Sequence, residues 1–311
     1  MISRSRTTLP SAVTGIGLVM VAAALWATVG VAVQITPDGG RIPEVLLTAA
    51  RTGIAGPMLL AVWALGVGGG RMATLRRLAP GPLAVFALAS AIFQICLFRC
   101  FAQLGVTAAV FLTVCLPPVL ACVWSVLRGV AGLSGQSAAA LVLALGGMVL
   151  VTLGGRDGAA PEAVQGLVNG VIASVAFVAM SFAAATLAST SRPILFTGAG
   201  LTLSALILGG LAVGAGQVGA VDAMPGNLGM GPVLLVLYLG LLPTALAYLC
   251  YCTGLARCRA PAVGLVASMI EPLLAALFAG FLLGEHLSGA MMSGCVLLIV
   301  AMVLLWRAER D

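Results

Sequence analysis

The chain has 311 residues, 61% of them hydrophobic and only 8% charged, with a formal net charge of +6 and a mean hydropathy of +1.19. Soluble domains carry roughly 25% charged residues, so nine acids and fifteen bases cannot coat a water-facing surface of this size, and a soluble globular fold is excluded. The solvent implied is lipid.

One membrane-spanning helix takes about 20 residues, which leaves room for roughly ten spans and none for an extramembrane domain. In chain order, apolar runs bounded by Gly, Pro and Arg predict helices over 13–33, 45–67, 83–104, 107–127 and 137–153, then over 164–186, 194–213, 233–255, 262–283 and 290–306. Arg4 and Arg6 precede the first run as they would in a signal peptide, but the run is too long for an h-region and predicts an uncleaved helix. Seven of the eight cysteines lie inside apolar runs, and Cys258 lies in a polar connection. Cys96 and Cys100 are one helical turn apart with no histidine or carboxylate beside them, so they read as packing residues; neither a metal nor a cofactor is expected.

The ten spans fall five on each side of Gly154-Gly155-Arg156-Asp157-Gly158, and the two halves repeat. An ungapped offset of 154 places Pro117-Pro118 over Glu271-Pro272, Leu133-Ser134-Gly135 over Leu287-Ser288-Gly289 and Met148-Val149-Leu150 over Met302-Val303-Leu304. The predicted units are therefore residues 13–153 and 164–306. An odd number of spans per unit turns the second copy upside down. The fold class expected is an all-α integral membrane protein with ten transmembrane helices as two inverted five-helix repeats, an architecture that suits alternating access in secondary transporters.

Every basic residue is arginine. With a cytoplasmic N-terminus, eleven arginines (4, 6, 71, 76, 77, 128, 192, 257, 259, 307 and 310) lie inside, and only Arg41 and Arg156 lie outside. That bias predicts a multi-pass chain with both termini cytoplasmic, and the membrane expected is the inner (plasma) membrane. Because the positive charge is spread over short loops and forms no basic domain, no nucleic-acid partner is expected. The partners anticipated are a small-molecule substrate and the lipid bilayer, and a monomer satisfies both.

The stretch Tyr238-Leu-Gly-Leu-Leu-Pro-Thr-Ala-Leu-Ala-Tyr248, followed by Tyr251, Ala256, Glu271-Pro272, Gly284-Glu285 and Leu287-Ser288, resembles the C-terminal repeat of the EamA branch of the drug/metabolite transporter superfamily. Trp26, Arg51 and Pro118 stand in the N-terminal half where that family often has Trp, Arg and Pro. The resemblance covers nearly the whole chain and implies export of small metabolites, with amino acids and their analogues a frequent substrate class. This chain departs from it at Val130-Ala131, where the first repeat lacks the counterpart of Gly284-Glu285.

Three ionisable residues fall at membrane depth, where charge is expensive and marks function. Glu271 reads as a proton-titrated or substrate-contacting carboxylate, with a structural ion pair as the competing role. Arg99 offers a bidentate fork for a substrate carboxylate, or else snorkels to the surface. Arg51, some six residues into its span, reads as snorkelling or structurally paired. Gln94 and Phe98 share a helical face and by the repeat fall over Tyr248 and Cys252, beside Tyr251. Together Trp26, Gln94, Phe98, Arg99, Tyr248 and Tyr251 make the expected substrate site, with Glu271 coupling or gating, in a cavity lined by spans one, three, four, six, eight and nine. Such aromatic walls suit an aromatic or amphipathic metabolite. Pro117, Pro118, Pro243 and Pro272 are the expected hinges. Asn169, Ser174, Ser181 and Ser268 read as interhelical bonding groups, and His286, the one histidine, as a loop residue. A passive channel or facilitator is the alternative function. A membrane-embedded enzyme is disfavoured, since no nucleophile is paired with a base and acids and histidines form no cluster.

Overall fold

The computed structural model describes residues 9–36, 42–66, 78–127, 135–154, 161–188, 191–217, 230–257, 270–284 and 288–308, and within them every regular element is helical. The first span is two helices, α1 (Leu9–Trp26) and α2 (Val29–Ile35). Single helices follow: α3 (Glu44–Gly66), α4 (Pro80–Leu104), α5 (Val106–Leu127), α6 (Gly135–Gly154), α7 (Pro161–Ala188) and α8 (Pro193–Gly214). The eighth span joins α9 (Met230–Leu239) to α10 (Ala247–Arg257) through a π-helical turn, Gly240–Leu246, and α11 (Ile270–Leu283) and α12 (Gly289–Ala308) complete the chain. Among the described residues six stretches are long and apolar enough to cross a membrane, and four shorter apolar helices stand at the remaining positions of the ten-span pattern. Lipid enforces this all-helical answer, because backbone groups there find partners only within their own helix.

Local chemistry sets several boundaries. Pro80 and Pro193 stand at the first helical positions of α4 and α8, where a missing N–H costs nothing. Between α4 and α5 a single residue turns the chain, Gly105 at φ +84, a left-handed conformation that disfavours a side chain. Its N–H donates to the Phe101 carbonyl at 3.1 Å.

Helix contacts follow the inverted repeat. The third span packs along the sixth (α4 on α7), and its symmetry mate is the eighth against the first (α10 on α1). The second and seventh (α3, α8), the fourth and ninth (α5, α11) and the fifth and tenth (α6, α12) each pack on their own counterpart, as elements on a two-fold axis must. Two apolar hollows on the outside of the bundle obey the same relation. One, of about 740 Å³, is lined by Leu120, Trp124, Val175 and Phe182, and the other, of about 540 Å³, by Val31, Leu235, Tyr238 and Phe278. Trp124 and Phe278 are 154 residues apart, the spacing of the repeat.

The bundle has an end marked by Glu44 and Glu162 and an opposite end marked by Arg192 and Arg257. Near the Arg257 end α1 and α10 touch backbone to backbone. A Cβ placed on Gly254 would lie 2.7 Å from the Gly15 carbonyl oxygen and 2.7 Å from Val19 Cγ2. Gly254→Val is expected to force these helices apart, costing roughly 1–3 kcal/mol, and a lowered unfolding temperature in detergent is the measurement.

One departure from the sequence expectations, in the first span, and one irregular turn at an expected hinge, Pro243, place the site. The first span breaks at Ala27-Thr28, where no Gly or Pro predicted it. There the Thr28 hydroxyl donates to the Leu25 carbonyl at 2.7 Å and accepts from Tyr238 Oη at 2.6 Å. In the eighth span the π turn surrounds Pro243. Proline cannot donate to the carbonyl four residues back, that of Leu239, and the Thr244 hydroxyl takes it instead. Pro117 and Pro118, by contrast, lie in an uninterrupted α5, and α3 continues through Pro57, which sequence reading had not singled out. Pro272 lies in the first turn of the described part of α11, so the expected mid-span kink there involves residues outside the described set. Ser268, Cys258 and His286 also lie outside it.

Candidate functional site

The break in the first span and the π turn in the eighth meet. Trp26, the last residue of α1, donates its indole N–H to the Pro243 carbonyl at 2.9 Å, a carbonyl within the π turn. Irregular backbone at membrane depth persists only where protein buries it or where it lines a cavity; here Trp26 and Val29 on either side of the break line a cavity, and Gly240, Pro243, Thr244 and Ala245 of the turn are buried. Gly240 lets the turn approach α3: a Cβ on it would sit 3.0 Å from Ile54 Cβ and 3.2 Å from the Arg51 carbonyl oxygen.

Around this junction stands a cluster of five rings. Trp26 packs edge-on against Tyr248 (5.3 Å between centroids) and Phe177 (6.2 Å) and lies tilted on Tyr251 (5.1 Å). Phe177 also contacts Tyr251 at 5.6 Å and Phe93 at 5.3 Å. The Ser181 hydroxyl donates to the Phe177 carbonyl at 2.7 Å, so its bond with Tyr251 Oη at 3.0 Å has the phenol as donor. Ser181 therefore holds Tyr251 in place behind the cluster.

Trp26, Phe93, Phe177 and Tyr248 line a central cavity with Val29, Leu97, Phe101, Thr113, Val114, Arg51 and Glu271. The free space is about 30 Å³, room for a water or two. Its walls come from spans one, two, three, four, six, eight and nine; the second, through Arg51, had not been expected. Arg51 does not snorkel: it is 3% exposed. Its Nε donates to Gln94 Oε1 at 2.8 Å, and its Cζ lies 5.0 Å from the Phe98 ring centroid. The Gln94 amide is held from its other side, since Nε2 donates to the Ser90 carbonyl and to Ser90 Oγ, both at 3.2 Å. Glu271 has no hydrogen bond or ion pair among the described residues.

A larger hollow of about 270 Å³ lies toward the Glu44 end, lined by Gln34, Glu44, Leu47, Phe98, Arg99, Phe101 and Gln103 among others. Arg99 Nε donates to Glu44 Oε1 at 2.9 Å, with the side chains 50% and 34% exposed. An exposed pair of this kind contributes at most about 1 kcal/mol. Phe101 borders both hollows, and its ring packs edge-on against Phe98 at 5.7 Å. One phenyl layer thus separates the vestibule from the central cavity.

Of the six residues expected to bind substrate, Trp26 and Tyr248 line the central cavity, which Glu271 also reaches. Gln94 is fully buried and committed to Arg51 and Ser90, Tyr251 stands behind Trp26 and Phe177, and Phe98 and Arg99 face the vestibule. The cavity face of α4 is Phe93, Leu97 and Phe101, which lies about 100° around the helix from the Gln94 and Phe98 face. Phe177 lies between Ser174 and Ser181 at helical spacing, a signal that could have placed it on their face. Of the expected hinges, Pro243 touches the site through its carbonyl; Pro118 lies in α5, and its side chain is outside the described set. Among the described residues no cluster of His, Cys, Asp or Glu could hold a metal, and Cys96, Cys100, Cys115, Cys250, Cys252 and Cys295 are buried free thiols.

A family model, described as the EamA-like transporter family, matches the chain twice, over residues 13–153 and 164–307. No curated protein matches. Among solved structures, a crystal structure of a protein superposes with a TM-score of 0.67 at 22% identity, over 96% of this chain and 98% of its own. At that identity the likeness bears on the fold alone.

Proposed function

Because the chain belongs to the EamA-like transporter family, and is on that ground a membrane transporter of the drug/metabolite type, we propose that it exports amino acids or their analogues by alternating access between its two repeats. The substrates are aromatic or amphipathic, the membrane is the inner membrane, and both termini are cytoplasmic, so the Glu44 end faces outward. One observation carries this reading: a single cavity, beside a broken first span and a π turn, joins five aromatic rings to one cation and one carboxylate. Rings offer an apolar bed for a side chain, while Arg51 and Glu271 supply the charges that an amino acid's polar end requires. Glu271, the carboxylate on the cavity wall, is the coupling or gating group. No covalent chemistry is assigned.

The test is counterflow in proteoliposomes against a panel of aromatic, aliphatic and cationic amino acids. Labelled aromatic or large apolar amino acids should exchange, and small or cationic ones should exchange poorly. Absence of exchange with every member, under any gradient, overturns the assignment. Conductance in planar bilayers, or flux far above carrier rates, would mark a channel instead.

A further inference from the structure

We propose that the central cavity is a socket for a zwitterion, in which Arg51 takes the substrate's carboxylate and Glu271 its ammonium group. This deepens the amino-acid reading above and rests on it.

The starting point is the state of the two charges. Arg51 is buried at membrane depth, where an uncompensated guanidinium is costly. Its Nε is used by Gln94, and among the described residues nothing accepts from Nη1 or Nη2. Glu271 lines the same cavity and likewise has no partner among the described residues. The two do not pair with each other, although each is the counter-charge the other lacks. A cation and a carboxylate on one small cavity, both with open hydrogen-bonding capacity, are complementary to a ligand that carries both opposite groups.

Simpler ligands fit less well. A monoanion would satisfy Arg51 and confront Glu271, and a monocation would do the reverse; burying either unmatched charge is unfavourable. A zwitterion neutralises both at once. The guanidinium fork is set for the task, because a flipped Gln94 amide would set its oxygen against the Ser90 carbonyl and its N–H groups against Arg51 Nε, so Gln94 presents its oxygen to Arg51. That leaves the terminal N–H groups free to hold a carboxylate. Trp26, Tyr248, Phe93 and Phe177 lie on the remaining walls, where their faces can also receive an ammonium or an apolar side chain. Arg99, the arginine that sequence spacing favoured for the carboxylate, is paired with Glu44 in the vestibule. With about 30 Å³ free, the socket is contracted, and ligand entry requires Phe101 to yield.

The experiment is counterflow of labelled L-phenylalanine against unlabelled L-phenylalanine, L-phenylalaninamide and N-acetyl-L-phenylalanine. The amide lacks the carboxylate, and the acetyl compound lacks the ammonium. A buried site built for a polar group rejects an analogue without it, so wild type should trade phenylalanine at least about 100-fold better than either derivative. Arg51→Gln should remove the penalty on the amide and keep that on the acetyl compound, and Glu271→Gln should do the opposite. If Arg51→Gln does not yield monodisperse protein, Arg51→Lys carries the test: it keeps the charge, loses the fork, and should still prefer phenylalanine to its amide by a smaller factor. Equal trade of all three compounds by wild type, or variants that leave both penalties unchanged, overturns the socket while the amino-acid reading stands. A wild type that trades no amino acid overturns both.

Discussion

Replacing Trp26 by alanine is expected to stop exchange and to cost the fold about 3 kcal/mol, the low end of the range for a buried Trp or Phe side chain because this ring is half-buried. No other side chain joins as many parts of the site. Its ring touches Tyr248, Tyr251 and Phe177, and its indole N–H is bonded to the Pro243 carbonyl in the π turn. Truncation therefore opens a void between the first, sixth and eighth spans and unties the break in one repeat from the π turn in the other. Trp26→Phe separates the two roles. It keeps most ring contact but not the N–H, and should lose about 0.5–1.5 kcal/mol, as for one hydrogen bond. Thermal unfolding in detergent with counterflow on the same preparations decides between them. A Trp26→Ala protein as stable and active as wild type would remove Trp26 from the site.

Glu271→Gln is expected to abolish accumulation driven by a pH gradient while leaving exchange measurable. For one proton moved per substrate, a gradient of one pH unit supplies about 1.4 kcal/mol, enough for about tenfold accumulation. The variant presents a neutral amide of the same shape and should show none, with a rate flat across pH. The other ionisable groups on the cavity wall are Arg51 and the Tyr248 phenol, neither of which ordinarily exchanges a proton near neutral pH, so neither can substitute in this role. Loss of pH drive with retained exchange places the proton on Glu271; a variant that still accumulates substrate against the pH gradient removes it from coupling.

Much of the architecture was legible in the sequence because lipid simplifies the code. Apolar runs of span length can do little but form helices, and the repeat offset of 154 carried the inversion with it. The predicted starts of the second to fifth spans fall within three residues of those observed. Less legible was anything that depends on rotation about a helix axis. In a soluble helix a polar stripe marks the outward face, but α4 is apolar almost all round, so nothing in its sequence says whether Phe93 or Gln94 faces the cavity. A shift of one residue was enough to choose the wrong face. Arg51 was misjudged for a related reason: depth was counted along the chain, whereas its partner Gln94 comes from another helix. The break after Trp26 left no proline or glycine to read, since its partner Tyr238 is 210 residues away.

The two ends of the bundle are shut by unlike materials. Toward the Arg257 end the closure is main chain against main chain at Gly15 and Gly254, while toward the Glu44 end a phenyl layer stands between cavity and vestibule. Side chains reorient on far shorter timescales than packed helices separate, and parting packed main chain gives up more contact than turning a phenyl ring, so the two openings differ in barrier and in standing population. A carrier whose binding-competent form is rarer on one face has a weaker apparent affinity there, by the fraction populated. The half-saturation concentrations measured from the two sides of a liposome should therefore differ even though the binding residues are the same. That inequality sets no direction of net flow, which belongs to the gradients, but it lets one compartment fill the carrier at concentrations the other would scarcely register.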